Sequence, residues 1–467
     1  MSRRKKRSPR RPAARRAAPS SSRSQPPPQP GQERSGETLR NWLIVGGLTA
    51  LGIGGATLVG TAPRSEVTEV AEVVQGAQVI EVVQAARVAP VAAVVEAAAS
   101  KPVIGSGAVS AADSRVVAIA PGPAAPPVLR TAAARPGASL RYLKGSTHVH
   151  TGRSGDSSTP IADVIRWYTE HHYDFIIITD HNRVTLHQHR GDLLVMPGVE
   201  LTHNPAFCLP RPPEPRGKCR IHINSLIVDP ASERARARRA GQAAGERINW
   251  RERTSRLRID MYQRALATTD QLGGLAQLNH PAWHRGVDGQ LLAELGRRGL
   301  VLVEIANQAF TRWNRGTGRF PSTEAIWDEA LSAGVIVWGV ASDDAHHYYD
   351  APAIAAAGRT VYPAGPGFVM VRAERTPDAI RAALARGDFY SSTGVVLAAI
   401  EHAGDRLTVQ VASGEAHEIR FIGPGGQVLA EHVGRRAGIN RGARAYVRAV
   451  VRDSQGRKAW VQPFFAD

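Results

Sequence analysis

The sequence predicts an α/β fold in which seven parallel strands close into a barrel, followed by a small antiparallel β domain. Within residues 141–394, short apolar runs alternate with stretches of helical periodicity, the pattern of repeated β-α units. From residue 395 to 467 the apolar residues alternate with polar ones, which predicts antiparallel strands. The seven strand-like runs cover residues 145–150, 175–179, 194–201, 221–228, 274–279, 300–305 and 335–341.

Helical periodicity fills most of the gaps between these runs. The first predicted helix begins after Ser158, Thr159 and Pro160, a start signal with proline in the first turn. A last helix is predicted between Thr376 and Gly387, because proline follows the first of these residues and glycine ends helices. The four earlier helical stretches are 161–171, 250–272, 289–298 and 323–333.

The first 140 residues differ in composition from the rest of the chain. Residues 1–40 hold twelve Lys and Arg against two Glu, about ten of the eighteen excess positive charges, and are predicted to be a disordered basic tail. Residues 41–63 carry no charge and are long enough for a transmembrane anchor, with a cleaved signal as the alternative. Residues 64–140 are rich in Ala, Val and Pro, which indicates a spacer.

This organisation predicts a membrane-anchored protein. The membrane contact would be residues 41–63, with the catalytic domain exported to the periplasmic or extracellular side because the basic tail stays in the cytoplasm. Secretion after signal cleavage is the alternative. In an oxidising compartment Cys208 and Cys219 can form a disulfide across a Pro-rich loop, although two free thiols fit the sequence as well.

The net charge of +18 does not predict a nucleic-acid partner. Most of the excess lies in the basic tail, and the remainder of the chain is only mildly basic. The Arg-rich segment 233–258 is interpreted as a solvated helical insertion beside the barrel, with contact to anionic lipid headgroups as an alternative.

Histidines and carboxylates are placed at the ends of the predicted strands, where the reacting groups of a β/α barrel gather. His148 and His150 are two residues apart on a strand, so both imidazoles project from one face, as chelation of one ion requires. His222 lies instead near the start of its strand. The nine candidate metal ligands are His148, His150, Asp156, His181, Glu200, His222, His280, Asp344 and His346.

Nine ligands exceed the needs of one tetrahedral ion and fit two or three divalent ions with open positions for water. Imidazole and carboxylate ligands without thiolate suit Zn, Mn or Fe equally. Three divalent ions would carry more positive charge than three carboxylates neutralise. We therefore expect a small anionic substrate and a metal-bound hydroxide as the nucleophile.

Six motifs carry eight of these ligands, and as an ordered set they are similar to those of the PHP (polymerase and histidinol phosphatase) superfamily, most of all its carbaryl hydrolase-like branch. The resemblance covers residues 141–394 and implies a distorted seven-stranded barrel with a di- or trinuclear centre in which Glu200 bridges ions. Asp156 departs from the commonest superfamily pattern by one residue of spacing. The motifs are HVHT at 148–151, ITDHN at 178–182, GVE at 198–200, HIN at 222–224, NHP at 279–281 and ASDDAH at 341–346.

The resemblance implies hydrolysis of a phosphoester by a metal-bridging hydroxide. Hydrolysis of a carbamate or an aryl ester is one alternative, since a few members of the superfamily cleave other esters. A metal-loaded binding module without catalytic activity is the other. In that case the barrel would be structural and the β-rich C-terminal residues would recognise a partner.

Several further residues near the predicted centre are candidates for substrate contact or proton transfer. The amides can donate hydrogen bonds to a substrate or cap loops, and the arginines can clamp a phosphate or remain at the surface. His347 and Asp343 are the candidate catalytic residues, the former as acid for the leaving group. Glu304 is a candidate for orienting a ligand. The candidate substrate-binding residues are Asn182, Arg183, Arg153 and Asn307.

Overall fold

A computed structural model describes residues 140–188, 191–251 and 255–465, which all belong to one compact unit. In these ranges the protein is a mixed α/β structure with seventeen strands and eight α-helices. Strands β1 to β8 span Arg141–Val149, Phe175–Ile178, Leu194–Pro197, Val199–His203, Ile221–Leu226, Leu275–Leu278, Leu302–Asn307 and Trp338–Ser342. Strands β9 to β17 span Phe368–Ala373, Phe389–Ser392, Leu397–Ala403, Arg406–Val411, His417–Ile422, Val428–Gly434, Arg436–Asn440, Tyr446–Arg452 and Lys458–Phe465. Helices α1 to α8 span Ile161–Glu170, Pro230–Arg239, Arg258–Gln271, Gly289–Arg297, Thr311–Asn314, Thr323–Ser332, Ala351–Ala356 and Pro377–Arg386.

All seven predicted strand runs form strands, but the run 194–201 is broken in two. Gly198 separates β3 from β4. A Cβ at this position would lie 3.0 Å from the backbone oxygens of Ile178 and Ser225, so the position requires glycine. Only glycine permits so close an approach of neighbouring backbones. The chain therefore leaves one sheet at Pro197 and enters another at Val199.

The prediction of a closed (βα)7 barrel is wrong. The strands lie in three sheets, of nine strands (β14-β13-β16-β17-β10-β9-β1-β2-β3), five strands (β4-β5-β6-β7-β8) and three strands (β11-β12-β15). Strand β9 pairs antiparallel with one edge of β1. A closed barrel would require β8 to pair with that edge of β1. In the described residues, one isolated bridge, between Val149 and Ala345, joins the end of β1 to the loop after β8.

The strands are also not uniformly parallel. Pairs β1-β2, β2-β3, β6-β7 and β7-β8 are parallel, whereas β4-β5 and β5-β6 are antiparallel. Residues 204–220, between β4 and β5, form no α-helix, so they do not provide the crossover that a parallel pair needs. This loop instead carries a disulfide between Cys208 and Cys219.

The helices that follow the strands begin and end close to the predicted residues, with one exception. The side chain of Thr376 caps the amide of Ala379 at the start of α8, and Gly387 ends that helix in the left-handed conformation (φ 79°). Helix α3 begins at Arg258 rather than at residue 250. The backbone of Leu209 pairs there with residues 256 and 258, which holds this part of the chain extended before the helix.

The C-terminal strands continue the sheet that contains β1. Strand β10 pairs with β9 on one side and with β17 on the other, so the nine-stranded sheet crosses residue 394. The Gln462 side chain on β17 also bonds to both backbone groups of Gly339 on β8, at 2.9 and 2.7 Å. Ser391 donates to the same carbonyl at 2.8 Å. The boundary between two domains at residue 394 stays a prediction.

The predictions of a transmembrane helix and of membrane-anchored export are wrong for the part of the chain that the structure describes. None of the helices there is long and apolar enough to cross a membrane. The longest is α3 with 14 residues, whereas a bilayer needs about 20. The predicted tail 1–40, anchor 41–63 and almost all of the spacer 64–140 lie outside the described residues.

A buried ion pair joins α6 to the C-terminal strands. The Arg448 guanidinium donates to both carboxylate oxygens of Asp328, at 2.7 and 2.6 Å, and Tyr446 donates its hydroxyl at 3.0 Å. Arg448 is 2% exposed, and its other carboxylate neighbour, Glu324, is 3.6 Å away, so removal of Asp328 would leave a buried charge with only this longer ion pair.

We expect Asp328→Ala to lower the free energy of unfolding by about 3 to 5 kcal/mol, because the buried Arg448 would lose both short hydrogen bonds to a carboxylate and keep only the 3.6 Å ion pair with Glu324. Urea denaturation measures this change. The matched control is Glu401→Ala, which breaks the exposed pair with Arg436 and should cost less than about 1 kcal/mol. Equal losses in the two variants would contradict the assigned role of the buried pair.

Candidate metal centre

The nine predicted metal ligands converge at one end of the strands. They form three groups in which every candidate ligand atom lies within 4.8 Å of the others. His150 belongs to the first and second groups named below, so those two groups adjoin each other. The groups are His148, His150 and Asp344; His150, Asp156, His181 and His346; and Glu200, His222 and His280.

Strand geometry and tight turns put these side chains on one surface. His148 and His150 close β1 with their rings on one face, while Val149 between them packs into the apolar core on the other. His280 and Asp344 follow β6 and β8 and have positive φ angles of 28° and 53°. Such a φ is rare for a residue with a side chain, and it turns the backbone sharply where each strand ends.

Four buried polar atoms at the middle of the centre lack a hydrogen bond of good geometry in the described structure, although one of them, Glu200 Oε2, is in ion-pair contact with His181. They are His148 Nε2, His150 Nε2, Glu200 Oε2 and Asp344 Oδ1. Each imidazole nitrogen lies 3.1 Å from Asp344 Oδ1 and 3.5 to 3.6 Å from Glu200 Oε2. A tetrahedral ion bonded at 2.0 to 2.2 Å separates its ligand atoms by about 3.3 to 3.6 Å. The ligand atoms of His148, His150 and Asp344, which form one of the three groups, therefore fit a shared divalent cation, and Glu200 Oε2 lies next to them.

Glu200 lies between the groups and offers an oxygen to each side. Its Oε2 is 2.7 Å from His181 Nδ1, and its Oε1 is 2.8 Å from His222 Nδ1 and 3.8 Å from His280 Nε2. The carboxylate is 1% exposed. Its position suits a ligand shared by more than one ion.

Asp156 reaches the centre despite its unusual spacing from the HxH motif. Its Oδ2 lies 2.9 Å from His181 Nε2 and 3.2 Å from His346 Nε2. With a side chain that is 47% exposed, it forms the open side of a centre whose other ligands are mostly buried. The open side is where water or a substrate can enter.

Hydrogen bonds from behind orient the ligands. Glu304, fully buried, holds His148 Nδ1 at 2.7 Å, which leaves Nε2 directed at the centre. The same carboxylate accepts the backbone N–H of His280 at 2.6 Å and the hydroxyl of Ser342 at 2.5 Å. Ser154 bonds to His150 Nδ1 at 2.8 Å. Such second partners fix the tautomer and orientation of a metal-binding imidazole.

The electrostatics of the ion-free centre favour ionised carboxylates. Burial opposes ionisation, but the surrounding imidazoles outweigh it and hold the pKa values of Glu200, Asp344 and Asp156 below the usual range. Burial lowers the pKa of His150 to about 3 and that of His222 to about 4. Neutral imidazole and ionised carboxylate are the forms that bind metal.

Three histidines behave differently because they face carboxylates more directly, and Asp156 and Asp344 raise the pKa of one of them, His346, against the effect of burial. Against the effect of burial, Asp344, Glu304 and Glu200 raise the pKa of His148 well above its usual value. Glu200 and Asp156 likewise raise the pKa of His181 to about 10. In the ion-free protein the imidazoles of His148 and His181 hold protons at neutral pH, and an incoming cation must displace them.

The predicted substrate-binding residues mostly bond to the protein itself. Asn182 bonds to the backbone of Thr202 and accepts from Trp250 Nε1 at 2.6 Å. Arg153 and Arg183 both donate to the carbonyl of Gly245, at 3.4 and 3.2 Å. These contacts fix the segment around residues 245–250 beside the centre.

The remaining candidates also have internal partners. Asn307 donates to Glu304 at 2.8 Å and caps the amide of Ala309. Asp343 accepts the backbone N–H groups of residues 365 and 367, and burial raises its pKa to about 7. His347 Nδ1 accepts the N–H of Tyr362 at 3.0 Å. Catalytic roles for Asp343 and His347 stay predictions.

Two arginines near the centre were not identified from the sequence. A cavity of about 380 Å³ is lined by the ligands Asp156 and His181 and also by Arg247 and Arg251, from the segment interpreted as a solvated insertion. The pattern Arg-Ile-Asn-Trp-Arg at 247–251 is the one indication in the sequence that this part of the segment packs against the protein. Its two apolar side chains are 3% and 2% exposed, so they anchor this part of the segment against the protein.

The arrangement could hold metal ions next to an open, arginine-lined cavity. Protein-family models give no match to this chain, and no curated protein matches it. What the centre can do therefore follows from its own chemistry. Buried imidazoles and carboxylates with unsatisfied atoms are suited to coordinating metal ions, and the centre has one exposed edge.

We expect Glu304→Gln to weaken metal binding by about tenfold to a hundredfold, because His148 would lose its charged hydrogen-bond partner. Isothermal titration of the ion-free protein with Zn²⁺ or Mn²⁺ measures the affinity. Glu233→Gln is the matched control, since Glu233 is equally buried but pairs with Arg236. An unchanged affinity in Glu304→Gln would show that this carboxylate does not support the centre.

Metal affinity should rise with pH between roughly pH 6 and pH 9. The raised pKa values of His148 and His181 mean that protons compete with the cation, and this competition weakens as pH increases. Titrations in buffers of different ionisation enthalpy should also report proton release on binding. An affinity that does not change with pH would contradict protonation of these ligands in the ion-free protein.

Proposed function

We propose that the protein is a metal-dependent phosphoesterase of the PHP type, with two or three divalent ions held by the nine ligands. One observation carries this proposal. The buried Nε2 atoms of His148 and His150 make no hydrogen bond, and each lies 3.1 Å from Asp344 Oδ1 and 3.5 to 3.6 Å from Glu200 Oε2. A buried arrangement of this kind is costly unless a cation compensates it.

The charge of the loaded centre favours an anionic substrate. Three carboxylates, Asp156, Glu200 and Asp344, cannot neutralise two or three divalent ions. Arg247 and Arg251 add positive charge in the adjoining cavity. A phosphate monoester fits this surplus better than a neutral ester does. The ordered motifs that resemble the PHP superfamily support the same assignment.

Bound divalent ions of Zn, Mn or Fe would polarise the phosphoryl oxygens and lower the pKa of coordinated water to about 7. The remaining roles belong to the chain. Glu304 and Ser154 orient the ligands His148 and His150 from behind. Asp156 forms the open edge, where a substrate enters beside the cavity.

Hydrolysis joins an oxygen from water to phosphorus, breaks the ester P–O bond and transfers a proton to the leaving oxygen. We propose that His347 assists the last of these changes; its ring centre lies 6.4 Å from that of the ligand His346. Its Nδ1 accepts a hydrogen bond from the backbone of Tyr362, so the ring proton resides on Nε2. We assign His347 as a hydrogen-bond donor to the leaving oxygen.

His148→Ala and Asp344→Ala should each abolish metal binding and hydrolysis of aryl phosphates together. Elemental analysis of the purified protein and a turnover assay with added Zn²⁺, Mn²⁺ or Fe²⁺ provide the two measurements. His402→Ala is the control, because His402 stacks on Phe464 and belongs to none of the three ligand groups. Hydrolysis that persists in the metal-free variants would refute the proposal.

The substrate panel separates the proposal from its two alternatives. It should contain phosphate monoesters and diesters, aryl carboxylic esters and aryl carbamates. Turnover of carbamates or carboxylic esters alone would identify a different hydrolase on the same centre. Full metal occupancy without turnover of any class, across all three metals, would indicate a binding module.

A further inference from the structure

A second cavity adjoins the metal centre and is strongly basic. It has a volume of about 430 Å³ and is lined by ten residues between 204 and 220. Four of these are cationic and one, Glu214, is acidic, so the lining carries a net charge of +3. We call this cavity the basic basin. Its cations are Arg211, Arg216, Lys218 and Arg220.

The basic basin lies directly beside the metal centre. Asn204 lines both this cavity and the one that contains Asp156 and His181, and its Oδ1 is 2.9 Å from His222 Nε2. On the other side, the Arg220 guanidinium lies 5.1 Å from the ring centre of Trp283. That ring contacts the ligands His222 and His280 edge-on, with ring centres 5.6 and 5.0 Å away. The Trp283 side chain therefore lies between Arg220 of the basin and the ligands His222 and His280.

The positive charge of the basin is not neutralised within the described residues. None of its four cations lies within 4.0 Å of a carboxylate there, and the closest ion-pair contact of Glu214 is with His284 at 3.8 Å. Arg220 Nε is shielded from solvent and has no hydrogen-bond partner in the described part of the chain. Burial, followed by the charges of Arg220 and Lys218, lowers the pKa of His284 to about 4. A bound anion would compensate the positive charges of this region.

The loop that forms the basin is held in place from several sides. The disulfide between Cys208 and Cys219 closes the segment that carries three of the cations. Leu209 pairs through its backbone with residues 256 and 258, and Tyr262 donates its hydroxyl to the carbonyl of Arg220 at 3.2 Å. A site whose charges are positioned before the ligand arrives loses less entropy on binding.

We infer that the basic basin binds a second anionic group of the substrate while the phosphoester lies at the metal centre. The substrate class is then a phosphoester that carries a carboxylate or another phosphate at some distance from the phosphoryl group that reacts. The cavity volume is sufficient for such a group and part of the frame that bears it. This inference rests on the proposed phosphoesterase function.

Matched substrates test the inference through charge alone. Aryl phosphates with a para carboxylate can be compared with their para carboxamides, which have nearly the same size, over substituents of increasing length. For at least one length, kcat/KM of the metal-loaded protein should favour the carboxylate by about tenfold. The preference should decrease as salt is added, because the basin opens to solvent.

The variant Arg216→Gln/Lys218→Gln should bring the ratio of carboxylate to carboxamide close to one. A ratio within each protein cancels any change in turnover that affects both substrates. The matched control, Arg375→Gln/Arg435→Gln, removes two exposed cations that line neither cavity and should keep the wild-type ratio. A wild-type ratio near one at every length, or a ratio unchanged in the basin variant, would overturn the inference.

Binding measurements distinguish this inference from the proposed function. The corresponding aryl phosphonates, with carboxylate or carboxamide, are titrated calorimetrically into the metal-loaded protein and into both variants. If no phosphoester is turned over but the carboxylate preference appears and is lost in the basin variant, the basin is an anion subsite and the phosphoesterase proposal fails. If phosphoesters are hydrolysed without any carboxylate preference in rate or binding, the subsite fails and the phosphoesterase stands.

Discussion

The buried carboxylate of Glu200 is the constraint on which the centre depends. Its two oxygens face imidazoles that come from β1, from the end of β2, from β5 and from the end of β6. A carboxylate that is 1% exposed would be costly in an apolar interior. Here it is stabilised because every neighbouring strand end contributes a nitrogen. Gly198 makes this position possible, since the chain changes sheets two residues earlier and directs Glu200 inward.

The chain brings the nine predicted ligands together, although its strands do not form the closed barrel that the sequence predicts. The ligands were recognisable because most of them stand at the end of an apolar run, and that relation depends on local pattern. Closure of the barrel depends on which strand occupies each edge. The run 368–373, which becomes β9, reads like any other β segment, and nothing in it indicates that it pairs with β1 in place of β8.

The residues around the ligands were harder to predict for a similar reason. Arg153 and Arg183 have the chemistry to bind phosphate, yet both side chains bond to the carbonyl of Gly245. The arginines that line the cavity come instead from a basic segment that has no strand or helix of its own around residue 247. Sequence pattern identifies residue types that suit a reaction, but a loop's position is determined by tertiary contacts such as that of Trp250 with Asn182.

The link between Gln462 and Gly339 has a consequence for how the protein folds and evolves. Asp344 and His346 follow strand β8. Gln462, on the C-terminal strand β17, hydrogen-bonds to both backbone groups of Gly339, the second residue of β8. The last seventy residues are therefore in direct contact with the strand that leads into the metal centre. A chain that ended near residue 394 would leave the edge of β10 without its partner β17, and an unpaired edge of this kind promotes association between molecules. Insertions are better tolerated in the loops on the ligand side, where substrate preference can change while the sheet stays intact.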